Sequence, residues 1–270
     1  MMLRSLPMFL LSFVAATVLA QDNPTGAREP GAWPNGGTVF SGARRPAVAD
    51  RMRSLRQPLS ETNFASQLDA DRALVEAAER GDPRAVSDKI TAGGRPNARL
   101  SDGRTPLVAA VDSGNFEAMR LLIDAGADVN VKNGMGFTPL AMAALRGHAR
   151  MAQRLLDSGA VVDVRSDDGS TPLQNAALLG RADVIRLLVQ RGARLDVRNR
   201  QGYPALIEAA RGGHPAAVQA LLEVGADPNT MGRDSRSALY WAVYRRDRAV
   251  ADLLVKAGAE VGTLSLETLE

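Results

Sequence analysis

Residues 168–199 read DGSTPLQNAALLGRADVIRLLVQRGARLDVRN. A glycine turn leads into Thr171-Pro172-Leu173, then a short Ala-rich apolar stretch, Gly180, a second apolar stretch and Gly192. Thr171 suits a helix N-cap, and Pro172 suits the first helical position, where its missing N–H leaves no bond unmade. Leu173, Ala176 and Ala177 give this first helix an apolar face whose small side chains allow close packing. Gly180 can take the left-handed backbone that ends such a helix. Val184, Ile185, Leu187 and Leu188 then supply the apolar face of a second helix. Gly192 ends it, and residues 193–202 make an extended excursion with a turn.

A shift of 33 residues in either direction restores the pattern. Leu74, Leu107, Leu140, Leu173, Leu206 and Leu239 form one column, and Gly93, Gly126, Gly159, Gly192, Gly225 and Gly258 form another. A fixed period of this length signals a stacked array: each two-helix unit leaves both faces apolar and is stable only against its neighbours. The period predicts an all-α solenoid of about six 33-residue helix-turn-helix repeats with β-turn or hairpin connections. The repeats fall near 70–102, 103–135, 136–168, 169–201, 202–234 and 235–265, within a repeat domain spanning 61–270.

Composition agrees with layers only two helices thick. Apolar residues make up 45% of the chain and aromatics 4%, so the core is aliphatic. The absence of cysteine excludes disulfides, thiolate metal sites and cysteine nucleophiles. The basic balance is local. Residues 1–65 hold seven arginines against four acids, out of 33 basic and 30 acidic residues in all, so 66–270 carries 26 of each. A nucleic-acid binder concentrates basic excess on its folded surface, and no nucleic-acid partner is expected.

Residues 1–20 read as a targeting segment, with Arg4 at the start, an apolar run over 8–20 and small residues at its end. Cleavage is expected between Ala20 and Gln21. The run has 13 residues, short of the ~20 that span a bilayer as a helix, so no stable membrane anchor is expected after cleavage. Residues 21–60 are rich in Gly, Pro and Arg without a sustained period. Such composition cannot repay its ordering entropy by burial and reads as a flexible linker.

The repeat resembles the ankyrin-repeat family. The family's Gly-x-Thr-Pro-Leu start stands at 103–107, 136–140 and 169–173. Its Leu-Leu followed by Gly-Ala-Asp-x-Asn stands at Leu121-Leu122 with 126–130 and at Leu221-Leu222 with 225–229. The resemblance covers about 70–262. The family's histidine after the leucine is replaced throughout, by Val108, Ala141, Gln174, Ile207 and Tyr240. One repeat has Pro204-Ala205 in place of Thr-Pro and loses its cap. The next has Ser237-Ala238, which keeps a capping hydroxyl, and Arg246 where the helix-ending glycine belongs. Asp88-Lys89 make the first unit polar on its outer side, as an N-terminal capping repeat must be. The tail 263–270 is expected to close the last unit.

Little in the array looks like chemistry. His148 and His214 stand two periods apart in one column, too far to share a metal ion. No nucleophile triad or phosphate loop can be assembled, and neither catalytic residues nor a cofactor are expected. Arg99, Lys132, Arg165 and Arg198 form a basic column at the turns, while Asn97, Asn130, Asp163, Asp196 and Asn229 form a polar one. Both read as framework, the polar column bonding loop backbone between repeats.

The positions left free by the repeat are more informative. The resemblance places the residues before the Thr-Pro-Leu element, and one side of the first helix, on a concave face. Phe137, Met142, Leu145, Asn175, Leu178, Tyr203, Glu208, Trp241 and Tyr244 fall there. Four of the six aromatics beyond residue 65 belong to this set. Exposed rings of ~150–250 Å² each are natural anchors for a partner protein.

The reading is an exported, non-catalytic, monomeric scaffold that binds a protein through this face and its turns. Thirty arginines against three lysines suit a GC-rich bacterial genome; with the targeting segment, this points to the periplasm or secretion. The chain is similar to periplasmic ankyrin proteins of Gram-negative bacteria. Two alternatives stay open: a stress-protective accessory of a periplasmic enzyme such as a catalase, and a secreted effector acting on a host protein. The register itself makes a prediction. Leu173→Ala should lower unfolding free energy by roughly 2–5 kcal/mol in denaturant titration; a negligible loss would refute burial of the column.

Overall fold

The computed structural model describes residues 61–261. The targeting segment 1–20 with its Ala20/Gln21 junction, the linker 21–60 and the tail 263–270 lie outside the described residues. Twelve helices run in order through the described chain: α1 (Glu61–Glu79), α2 (Pro83–Thr91), α3 (Pro106–Asp112), α4 (Phe116–Asp124), α5 (Pro139–Arg146), α6 (Ala149–Asp157), α7 (Pro172–Leu178), α8 (Ala182–Gln190), α9 (Ala205–Gly212), α10 (Pro215–Glu223), α11 (Ala238–Tyr244) and α12 (Arg248–Lys256). The protein is therefore all-α, six helix pairs in series.

Stacking follows the period. First helices pack on first helices, α1 on α3, α3 on α5, α5 on α7, α7 on α9 and α9 on α11. Second helices make another layer, with α6 on α8, α8 on α10 and α10 on α12. The leucine column lies at the centre: Leu74, Leu107, Leu140, Leu173 and Leu239 are fully buried and Leu206 nearly so. Each such leucine contributes about 1.5–3 kcal/mol of burial. α2 buries Val86 alone, and Ser87 and Asp88 face solvent, so the first unit is polar on one side. Buried Asp71 of α1 accepts from the Arg95 backbone N–H at 2.9 Å and from its guanidinium, tying the turn after α2 to α1.

Helix entry follows the sequence at Thr138, Thr171 and Ser237, whereas Thr105 makes no side-chain cap bond at α3. Thr138 Oγ1 accepts from Ala141 N–H at 3.2 Å. Thr171 and Gln174 form a reciprocal capping box: Oγ1 accepts from Gln174 N–H, and Gln174 Oε1 accepts from Thr171 N–H. Gln174 stands in the family's histidine position and donates to the carbonyls of Val197 and Tyr203, reaching the next repeat's turn. Pro204 leaves α9 without a side-chain cap, whereas Ser237 Oγ accepts from Tyr240 N–H at 3.2 Å.

The two polar columns stitch neighbouring repeats together. Asn130 donates to Gly159 O at 3.2 Å and accepts from Val161 N–H at 2.8 Å. Asn97 and Asn229 repeat the same pair of bonds one period earlier and three periods later. Among the basic residues, Arg99 donates to Asn133 O, Lys132 Nζ to Arg165 O, Arg165 to Arg198 O and Arg198 to Met231 O. Each cation thus spends its donors on a carbonyl of the following repeat.

The last repeat is the irregular one. Glycine holds a positive φ at the turn of the preceding repeats (Gly103, Gly136, Gly169, Gly202) and at the end of their first helices (Gly114, Gly147, Gly180, Gly213). The corresponding residues of the last repeat are Ser235 at φ 58° and Arg246 at φ 57°. A side chain in this region costs roughly 1–2 kcal/mol per residue, which glycine avoids. Ser235→Gly and Arg246→Gly are each expected to raise stability by about 1 kcal/mol, part of the relief being offset by the more flexible unfolded chain. Chemical denaturation checks this; a loss of stability in both variants would contradict the strain.

Candidate functional site

The residues of the first-helix face do not share one environment. Met142, Asn175, Tyr203 and Glu208 are buried; Phe137, Leu145, Leu178 and Trp241 are half-buried; Tyr244 is 70% exposed. The expectation of a row of exposed anchors is therefore corrected at Met142, Asn175, Tyr203 and Glu208, while the others keep part of their surface in solvent. The reason is the stacking of first helices. Ala109, Met142, Asn175 and Glu208 occupy one column, each covered by the helices of adjacent repeats, and the same column opens only at Trp241 in the last repeat.

What the fold brings together is a cluster on α9, α11 and their turns. The ring of Tyr203 meets Trp241 edge-on at 6.1 Å, and Trp241 meets Tyr240 and Tyr244 edge-on at 5.7 Å each. Tyr240 and Tyr244 stack at 6.3 Å with planes 10° apart. Tyr240, in the family's histidine position, is half-buried and continues the cluster. Two guanidiniums flank the indole. Arg211 lies 5.7 Å from the Trp241 centroid and 5.3 Å from that of Tyr203. Arg236 lies 5.4 Å from Trp241 and 5.0 Å from Tyr240. Cations over aromatic faces contribute roughly 0.5–2 kcal/mol each, so these rings are held in place rather than free to reorient.

Hydrogen bonds fix the base of the cluster. Tyr203 donates its hydroxyl to Asp234, and its backbone N–H donates to Asn199 Oδ1 at 3.0 Å. Burial pushes the Tyr203 phenol up, and the Asp234 carboxylate beside it pushes the same way. The Tyr203 hydroxyl in turn holds the Asp234 carboxyl below its ordinary range. Asn199 Nδ2 donates to Glu208 Oε1 at 2.7 Å, and the Arg211 guanidinium stands 3.3 Å from Oε2. The period places Arg236 in the column of Tyr203 and Arg211 in that of Tyr244, on the same face, but it does not single out Asn199 or Asp234.

In the same row Asn175 Nδ2 and Trp241 Nε1 are buried without a hydrogen-bond partner, while Glu208 Oε2 has the Arg211 guanidinium at 3.3 Å; Thr105 Oγ1 and Asp163 Oδ1 are left without one in earlier repeats. Each such atom costs roughly 1–3 kcal/mol.

The histidines are framework. His148 packs its imidazole on Gly114 of the preceding repeat, and His214 packs on Gly180. Burial holds His148 below the usual imidazole range, with the Arg146 and Arg181 cations adding to the effect. Among the described residues, no cluster of His, Cys, Asp or Glu is placed to hold a metal ion. Among them also, no helix is long and apolar enough to cross a membrane.

Burial raises the Glu208 carboxyl above the ordinary glutamate value; Arg211 and Asn199 oppose this, and the Asp168 carboxylate adds to it. A raised folded-state value means that Glu208 supports the fold fully below the ordinary glutamate range, and that this support is lost as pH rises through the raised value. Glu208→Gln is therefore expected to raise the melting temperature more at neutral pH than near pH 4, about where free glutamate titrates. Thermal melts at both pH values check this, and an equal shift at the two would refute it.

A family model described as ankyrin repeats matches in three copies, over residues 74–166, 159–232 and 197–264. A search of curated proteins returned no match. The matched segments take in all six leucines of the central column, and with the helix pairs and their turn chemistry they place this chain in the ankyrin-repeat family.

Proposed function

We propose that the protein is an exported, non-catalytic scaffold that holds a partner protein on its first-helix face and turns. The family supports the protein-binding part, since arrays of this kind present a long surface of repeated design without reaction chemistry. The observation that carries the location is Tyr244, 70% exposed at the edge of a four-ring cluster. An exposed ring backed by ordered rings can be buried by a partner with little loss of side-chain freedom. Phe137, Met142, Leu145 and Asn175, which lie away from this cluster or are buried, are set aside as contacts. The exposed or half-exposed Leu178, Leu179, Trp241 and Tyr244 are the contact residues, with Tyr203 and Glu208 beneath them as support.

Export rests on residues 1–20 and on the Ala20/Gln21 junction. It makes the periplasm or the medium the place where the partner is met. A monomer needs no further contact to present this face.

The test is affinity capture from periplasmic and supernatant fractions, using the intact protein, Tyr244→Ala and Gln219→Ala. Gln219 is exposed on α10, in the second-helix layer. Tyr244→Ala is expected to lose the partner by at least about tenfold, as truncating an anchor residue does, while Gln219→Ala keeps it. Equal retention of partners by both variants would remove the aromatic cluster from the binding site. A mature chain beginning at Met1 would remove the export proposal.

A further inference from the structure

The arginines of the described array are unevenly neutralised. Toward the N-terminal end of the first-helix face, Arg104 pairs with Glu79 and Asp102, both at 2.8 Å, and Arg146 pairs with Asp112 at 2.6 Å. Arginines without an ion pair to a described residue occur elsewhere too, Arg165 and Arg181 among them, but those at the C-terminal end flank the aromatic rings. Arg200, Arg233 and Arg245 form no ion pair among the described residues. Arg233 instead donates to Arg200 O at 3.3 Å, which places both residues at the turns preceding α9 and α11. Arg245, just past α11, lays its guanidinium against Gly213 at the end of α9.

The cluster's carboxylates do not cancel this charge. Asp234 is committed to the Tyr203 hydroxyl and to Arg236 at 3.5 Å. Glu208 is buried and held toward its neutral form. The other acids of α10 and α12, Glu223 and Asp252, pair with Arg186 and Arg248 of the second-helix layer, and Asp247, two residues past Arg245, caps α12 by accepting from Val250 N–H at 3.1 Å. Unpaired cations therefore stand at both ends of α11, with Trp241 and Tyr244 between them. The face offers positive charge beside its rings and has few free carboxylates of its own.

We propose that this C-terminal part of the face takes an acidic polypeptide segment. Its carboxylates would meet Arg200 and Arg233 at one end and Arg245 at the other, with an apolar side chain laid on Trp241 and Tyr244 between them. Guanidinium groups suit carboxylates because their planar fork gives two parallel hydrogen bonds. The apolar strip is what separates a peptide from a bare polyanion, which has nothing to place on the rings. The inference rests on the protein-binding reading above and adds the partner's chemistry.

The experiment uses the mature chain and a labelled twelve-residue peptide of alternating glutamate and leucine, with an alternating lysine–leucine peptide and inorganic polyphosphate as comparison probes. Fluorescence anisotropy is read at low and at physiological salt. Arg233→Glu/Arg245→Glu is compared with Arg72→Glu/Arg84→Glu, which makes the same change in net charge on exposed residues of α1 and α2. Thermal melts establish that both doubles are folded. The acidic peptide should bind and the basic one should not. Binding should weaken with salt and should drop at least about tenfold in the first double while persisting in the second. Equal weakening in both doubles would reduce the effect to net charge and overturn the site. Polyphosphate binding as tightly, with the same dependence on Arg233 and Arg245, would replace the peptide by a general polyanion. No binding of the acidic peptide by a protein that still captures a partner through Tyr244 would overturn this inference and leave the scaffold reading standing.

Discussion

A pair of helices seven to nine residues long cannot cover its own apolar side chains. Leu173, Ala176 and Ala177 on α7 reach zero exposure because α5 lies on one side and α9 on the other. Everything else in the array depends on that mutual covering. It requires small side chains where first helices meet, which is why alanine accompanies leucine in every repeat. It also requires an end that tolerates water. At the N-terminal side α2 provides this with Ser87 and Asp88 outward, and there Arg95 folds back onto Asp71.

Covering alone sets no register, because apolar contact is indifferent to sliding. The asparagine and basic columns supply the register, since a hydrogen bond is made at one offset and lost at the next. Asn130 must meet both Gly159 and Val161, and Lys132 must meet Arg165. Gln174 shows that the same task can be done by another residue. It caps its own helix and bonds the next repeat's turn with one side chain. Against this regularity the last repeat stands out, with two residues, Ser235 and Arg246, at positive φ where glycine would be relaxed. Departures from local consistency in natural proteins concentrate where function is placed, and the aromatic cluster lies at this end.

The fold was legible in the sequence because its cause is periodic. The columns of Leu173 and Gly192 repeat without interruption, and Thr171, Pro172 and Gly180 mark helix boundaries by backbone chemistry that needs no knowledge of neighbours. The face was less legible. Whether Tyr203 or Glu208 meets water depends on which helix and turn lie over it, and that is a property of two repeats rather than one. The repeat pattern treats Asn175, Glu208 and Trp241 as equivalent, yet the first two are covered by a following repeat and the third is not. The strain at Ser235 is similarly quiet. Serine is common in turns, and only comparison with Gly202 in the same column reveals the backbone that it must adopt.

The bonds of the basic ladder have an evolutionary consequence. Lys132 to Arg165, Arg165 to Arg198 and Arg198 to Met231 all span the same 33 positions. Such a joint recognises an offset and not an address. A tandem duplication of one internal block would recreate the same bonds on both of its borders, and an in-frame deletion would heal in the same way. The interior can therefore change length by whole blocks without redesign. The C-terminal segment has no such freedom: Tyr203 with Asp234, and Arg211 with Trp241, are one-off partnerships, and a gene that gained or lost repeats would have to carry that segment intact.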